Sequence, residues 1–368
     1  MTSPTIESAQ VVLPCTQPIS ATINFFTGIG FKVRTIVPAD HPRMAVMQGH
    51  GLTIRLEAGS EAPPARLRLL TDDGAPGEHR APNGTVVEFA PAHPPLEIPP
   101  LEEAFVLTRM PTGAGADDEF GEGRAGMRYR DLIPTRLGGR FIASHILIPQ
   151  GGPVADYVHF HNIRFQMIYC HRGWVKVAYE DQGEPMLLRE GDCFLQPSTI
   201  RHRVLEASDR MQVIEIGCPA EHETWGDPDT VLPTGLTLPE RGYGADGHRF
   251  VFHQAADAAW MPWRSAGYEY RDTGIGAATD GLAGVRVVRP VGAPGPVTSS
   301  HTAEFLFHFV LDGAITLQRD TDAPVRLGEG DSFVVPAHMP YTLSEPYTLS
   351  EPSPDLQLLD VTLPAAGL

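Results

Sequence analysis

A long-range internal repeat constrains this 368-residue chain more than any other feature. The stretch AGMRYRD at 125–131 returns as AGYEYRD at 266–272, an offset of 141. His161 returns as His301 and Gly173 as Gly313, both at an offset of 140. REGDCFLQP at 189–197 returns as GEGDSFVVP at 328–336, an offset of 139. Four landmarks in one order at nearly one spacing make residues 125 to 368 a duplicated unit. The duplicated unit is written in short β-branched and aromatic runs: RFIASHILIP, WVKVAYE, CFLQP, MQVIEIG. Frequent glycine (37) and proline (35) break these runs, and long amphipathic helical patterns are scarce. Many short strands between turn residues predict a mainly β protein built from sandwiches or barrels.

The chain is too long for one ordinary core, so two or three domains are expected. A hydrophobic content of 42% with 20% charged residues is that of a soluble globular protein. The net charge of −17 repels nucleic acid and anionic lipid, which excludes both as expected partners. Only Lys32 and Lys176 are lysines, a bias that reflects genome composition rather than function. Cys15, Cys170, Cys193 and Cys218 form no CxxC pair, and three lie in apolar strand-like runs. Buried free thiols in a reducing compartment are expected. The N-terminus has no charged stretch followed by an apolar run, and no apolar run approaches roughly 18 residues. A cytoplasmic protein, monomeric or homodimeric, is expected.

The first hundred residues are written differently. AQVVLP reads as a strand, ISATINFFTGIG as a short helix ending in glycine, and FKVRTIV and GLTIRLE as further strands. Residues 1–100 are therefore expected to form a small α+β module. Its order over residues 8–60 resembles one module of the vicinal oxygen chelate (glyoxalase-like) superfamily. That family carries metal ligands on its first and last strands. Here those positions fall near Val11, which binds no metal, and at Glu57, which alone makes no site. Residues 101–124 read as an acidic flexible linker, 125–219 as the first β copy, 220–260 as a connector and 261–368 as the second copy.

The chemistry is concentrated in HFHNIRFQ, residues 159–166. His159 and His161 alternate on one strand and so project to one side, as a pair of metal ligands must. Gln166 lies past a tight turn, and His202 enters from a strand after GDCFLQP. Three imidazoles and one oxygen donor then converge. Imidazole suits Fe, Zn, Cu, Ni and Mn, so ligand type alone does not name the metal.

The spacing His159-x-His161-x4-Gln166-x6-Gly173, followed by Gly191-x5-Pro197-x-Thr199-x2-His202, resembles the signature of the cupin superfamily, G(x)5HxH(x)3–4E(x)6G and G(x)5PxG(x)2H. The departures are Gln166 for the glutamate, Thr199 for the inner glycine and a leading glycine, Gly152, one residue early. The resemblance covers residues 125–368. It implies two cupin (double-stranded β-helix, jelly-roll) barrels, with a metal held inside the first by His159, His161, Gln166 and His202. In the second copy the matching positions read Ser299, His301, Leu306 and Tyr341, so the metal site is expected to be lost. The tandem hexamer YTLSEPYTLSEP at 341–352 leaves Tyr347 as an alternative to Tyr341. His308 shares the Leu306 side of its strand, which leaves a rearranged site conceivable.

The glutamine is informative. An amide neither neutralises the metal nor titrates near pH 7, so it serves poorly as a general base. Such a site favours an anionic substrate that chelates the ion directly. Gln166 either ligates through its carbonyl or hydrogen-bonds a ligand or water. Cupin sites of three histidines without the carboxylate are associated with ferrous dioxygenases. The resemblance therefore implies an Fe(II)-dependent oxygenase or dioxygenase using O2 on a small anionic substrate. The alternatives are a metal-dependent isomerase or lyase of sugars or keto acids, and a non-catalytic small-molecule-binding cupin.

Candidate substrate groups follow from position. Arg164 and Asn162 lie in the turn between ligands, and Arg164 is the first choice to pair an anion, its alternative being a solvated surface arginine. Strand parity puts Cys170 on the Gln166 side, to line the pocket or fill the core. Tyr157 and Arg140 are weaker candidates. Tyr129-Arg130-Asp131 recurs as Tyr270-Arg271-Asp272 in the copy expected to lack a metal, which argues for a structural corner.

Overall fold

Alternation along the strands decides how the duplicated region folds. In the strand Phe305–Asp312, Phe305, Phe307 and Phe309 face one way and Leu306, His308 and Val310 the other. The first set joins Phe165, Met167 and Tyr169 of the strand Phe165–Arg172 in one buried core. The second set faces the interior of its own barrel. Two barrels thus pack back to back through one face of each large sheet, with the rings of Phe141 and Phe305 stacked at 4.2 Å. The structure, a computed structural model, describes residues 7–72, 76–113, 119–319, 322–337 and 347–366. It divides into two units, Met1–Pro95 and Leu96–Leu368.

In the first unit, strand Val11–Cys15 leads into helix Ser20–Gly28, followed by strands Lys32–Val37, Met44–Gly49 and Leu52–Ala58. Val11–Cys15 pairs parallel to Leu52–Ala58, so the chain closes on its own start. Leu13, Phe26, Met47 and Ile54 form the buried layer under the helix. A three-stranded sheet, Arg66–Thr71, Val86–Pro91 and Gly77–Arg80, follows; its weak alternation gave no signal in the sequence. Val11 is exposed, and Glu57 pairs with Arg55 at 3.3 Å.

Each barrel has a seven-stranded sheet. In the first its order is Val251–His253, Cys193–Leu195, Phe165–Arg172, Met211–Cys218, Ile142–Ile148, Arg128–Asp131, Gly121–Glu122. In the second it is Met261–Pro262, Tyr268–Asp272, Gly284–Pro290, Gln357–Leu363, Phe305–Asp312, Ser332–Val334, Val106–Thr108. The opposing sheets centre on Trp174–Tyr179 with His202–Ala207, and on Ala314–Arg319 with Tyr347–Ser350. The pairing repeats residue for residue. Gln166 faces Gly217 and Ile168 faces Glu215; Leu306 faces Thr362 and His308 faces Asp360.

The two copies exchange strands. Val106–Thr108, which precedes the first barrel, pairs with Ser332–Val334 of the second. Val251–His253, which precedes the second barrel, pairs with Cys193–Leu195 of the first. The EGD turn fastens each exchanged strand: Asp331 accepts from Met110 N at 2.7 Å, and Asp192 from Ala255 N at 2.8 Å. Residues 101–124 and 220–260, expected as linker and connector, therefore contain strands of the barrels. The repeated arginines complete the exchange. Arg130 donates to the Gly330 carbonyl (2.8 Å) and Arg271 to the Gly191 carbonyl (3.1 Å), each bracing the other copy's turn. Among the described residues no helix is long and apolar enough to cross a membrane.

Candidate metal centre

His159–His161 is a three-residue strand between His202–Ala207 and Thr224–Gly226. Alternation sends His159 and His161 to one face, and register sets His159 opposite His202. All three rings are buried, and one ring nitrogen of each lies within 4.8 Å of the others. Among the described residues this is the only group of three such side chains so close. Ring centroids of His159 and His202 are 4.2 Å apart.

Backbone carbonyls fix how the rings face. Nδ1 of His159 lies 2.8 Å from the Tyr157 carbonyl, that of His202 3.0 Å from Ile200, and that of His161 3.3 Å from Glu223. A carbonyl only accepts, so each Nδ1 carries the proton and each Nε2 keeps a lone pair. Burial keeps the rings neutral. It lowers His161 to about 3, helped by His222 and His159, pushes His202 well below its ordinary value, and lowers His159 with Arg124 adding to the effect. Three neutral imidazoles with oriented lone pairs are the donor set a divalent transition metal requires, with carbonyls holding the tautomer from behind.

His161 and His202 open into a cavity of about 380 Å³ inside the first barrel. Gln166 is in its wall, and its amide nitrogen donates to Glu215 at 2.8 Å. The carboxylate thus fixes the amide orientation and leaves the amide oxygen as the atom that can serve a ligand. Glu215 itself is in the wall, on the strand beside Gln166. Arg124 is the arginine of this cavity. One nitrogen pairs with the buried Asp156 at 2.5 Å and another donates to His159 Nε2 at 2.8 Å. His222 and Thr224, next to the triad, also line it.

None of the five candidate substrate groups lines the cavity. Arg164 and Arg140 both grip Glu304 of the second copy, at 2.6 and 2.7 Å, so they tie the barrels together. Asn162 accepts from Ser198. Tyr157 is 53% exposed and contributes its carbonyl to His159. Cys170 is fully buried in the apolar core, with burial raising its thiol well above the ordinary range. The residues that do line the cavity gave weaker signals. Arg124 sits in a turn that reads as linker, His222 and Thr224 in a segment that reads as connector, and Glu215 is the one acid in MQVIEIG.

In the second barrel, register sets Ser299 opposite Tyr347, as His159 stands opposite His202. The positions of His159, His161, Gln166 and His202 are thus Ser299, His301, Leu306 and Tyr347. Tyr341 lies outside the described residues. One level deeper, Ser144, Ile168 and Glu215 become Arg286, His308 and Asp360. Asp360 Oδ2 is 3.6 Å from His308 Nδ1 and Oδ1 is 3.5 Å from Arg286. Burial pushes this carboxyl up to about 6 despite the arginine.

Two jelly-roll barrels, with three inward histidines in one of them, define a two-barrel β protein of the kind that holds a metal ion inside a barrel. A sequence model of the cupin domain matches residues 285–348, in the second barrel. No curated protein sequence matches the chain. Among solved structures, a point mutant of salicylate 1,2-dioxygenase from Pseudoaminobacter salicylatoxidans superposes with a TM-score of 0.50; it is 14% identical over 72% of this chain and 85% of that one. Protein Ylba from E. coli gives 0.49, with 11% identity over 73% of this chain and 93% of that one. Oxalate decarboxylase from Bacillus subtilis gives 0.48, with 11% identity over 72% and 77%. Residues 285–348 are thus identified as a cupin domain, and the first barrel repeats its fold in the same register.

Proposed function

We propose that the first barrel is a mononuclear metal centre held by His159, His161 and His202, and that the protein is an Fe(II)-dependent oxygenase acting on a small anionic substrate. The observation that carries this reading is the ring orientation: three Nδ1 atoms on backbone carbonyls leave three Nε2 lone pairs converging. Ferrous iron bound there would supply a Lewis acid and a binding position for O2.

The chain's own groups prepare the substrate. Arg124, which donates to His159 Nε2 in this structure, would be free to pair with an anionic head at the cavity wall once that nitrogen served a metal ion. Asp156 keeps that guanidinium in place. Gln166, clamped by Glu215, offers its amide oxygen to a ligand hydroxyl or water. The apolar wall excludes bulk water and strengthens each of these interactions. Tyr129 stays protonated, since burial and Glu215 push it up to about 12.

A second reading, a metal-dependent isomerase or lyase, is favoured by Glu215. It puts in the cavity the carboxylate that Gln166 lacks. Metal analysis of protein purified without added metal, followed by anaerobic titration with chelating acids and then O2, tests both. Iron with substrate-dependent O2 uptake supports the oxygenase. Turnover without O2 uptake supports the second reading. Metal retained by His159→Ala contradicts both.

A further inference from the structure

The same cavity has a layered interior that specifies more about its ligand. Successive inward residues on paired strands form levels along the barrel axis. The first level holds Gln166 with Gly217, and His202 with Tyr179. The second holds Ser144, Ile168 and Glu215, with Val177 and Val204 opposite. The third holds Ile146 and Val213, and the fourth Ile148 and Met211. Of the inward residues on these strands, His202 and Glu215 are at the triad end, and Cys170, whose thiol burial keeps neutral, shares the third level with Val213. Beyond Glu215 the wall is aliphatic apart from Tyr129, whose hydroxyl turns to Met127 Sδ at 3.8 Å. From Gly217 to Met211 the strand runs six residues, roughly 20 Å.

The second barrel shows that this chamber is not imposed by the fold. At the positions of Val175, Val177, Val204 and Val213 it carries Ile315, Leu317, Leu349 and Leu358, all 4% exposed or less. Four positions each gain a carbon, while one, Ile146 against Val288, loses one. The first barrel keeps short side chains where its copy fills the same space, and inward-facing Ile168 and Val204 stay only half-buried as a result. An aliphatic cavity of ~150 Å³ already admits benzene; this one is about 380 Å³.

We infer that the first barrel binds a monocarboxylic acid with an extended non-polar chain, its carboxylate at Arg124 and the triad and its chain running between Val177, Val204 and Val213 toward Ile148 and Met211. The assignment rests on the metal-centre reading for the head group and on the chamber for the tail. Calorimetric titration of the metal-loaded protein with straight-chain acids from acetate to decanoate tests the tail. Affinity should rise about three- to fourfold per methylene until the chamber is full. A flat series overturns the inference. Octanol, titrated beside octanoate, separates the two parts: equal affinities with an intact chain-length slope would sink the metal-anion reading alone. The double variant Val177→Leu, Val213→Leu copies the second barrel and so introduces residues this fold already accommodates. It should lower octanoate affinity about tenfold or more and leave metal content and melting temperature unchanged. Unchanged octanoate affinity in that folded variant also overturns the inference.

Discussion

In the first barrel, Gln166, Glu215 and Val213 face the interior at three successive levels. In the second, the same levels present Leu306, Asp360 and Leu358, on strands paired in the same register and interrupted by the same bulge. Backbone hydrogen bonding therefore does not distinguish the copies. Side chains at about ten inward positions do. In the first, three neutral histidines stand beside a hollow interior. In the second, longer aliphatic side chains close the interior around Arg286, His308 and Asp360. One barrel thus keeps an open interior while the other is filled and backs its sheet. Phe305, Phe307 and Phe309 bury the back of the large sheet, and Val106–Thr108 ties the segment before the first barrel into the second.

The reciprocal braces offer the largest stability test. Arg130 and Arg271 are buried and donate across the barrel boundary to equivalent carbonyls. Arg130→Ala and Arg271→Ala should each cost about 2–4 kcal/mol in denaturant unfolding, through lost charge-assisted bonds and packing. Similar costs for the two would support a symmetric exchange; a cost confined to one would break it.

Making the first barrel resemble the second at one level comes next. Gln166→Leu copies Leu306 and strips Glu215 of its amide donor. Stability should fall by about 1–3 kcal/mol. In Glu215→Gln protein the same change should cost less, a coupling of about 1 kcal/mol or more in a double-mutant cycle. Additive costs would mean that the two side chains do not act together.

The smallest effect is pH dependence at the boundary between barrels. His145 and His171 are buried against Phe309. Burial lowers His145 to about 3 and His171 to about 2, with Arg130 adding to the first and His145 to the second, although Glu329 stands 3.6 Å from His171. Folded values below the ordinary ~6.5 mean that the unfolded chain takes up these protons first. The contribution of each ring is complete above that value and is lost as pH falls. At pH 5.5 the loss should be about 1.4 kcal/mol per ring. Thermal melts between pH 7.5 and 5 would measure it, and His171→Phe should reduce the slope. A slope unchanged in that variant would assign the acid sensitivity elsewhere.

Much of this was legible from the chain itself. The repeat and the spacing of His159, His161 and His202 depend on strand periodicity and turn glycines, which are local. The strand exchange was not legible, because three-residue strands such as Val106–Thr108 carry no periodic signal. Arg164 and Arg140 read as candidates for an anion because their partner, Glu304, lies 140 and 164 residues away, in the other copy. Glu215 and Arg124 were hidden for a related reason. Each is a single polar residue in an unremarkable setting; strand register places Glu215, and the turn Arg124–Gly126 places Arg124. Tyr347 rather than Tyr341 at the His202 position was likewise a matter of register, which a tandem hexamer leaves open by construction.

On the function proposed above, one barrel holds a metal ion and its copy does not. Metal analysis of the wild-type protein beside His202→Tyr, which copies the second barrel into the first, and His301→Ala, which removes the one histidine retained in place, tests it most directly. One transition-metal ion per chain is expected in the wild type and in His301→Ala, and none in His202→Tyr. Two ions per chain, or one that survives His202→Tyr and disappears in His301→Ala, would contradict it.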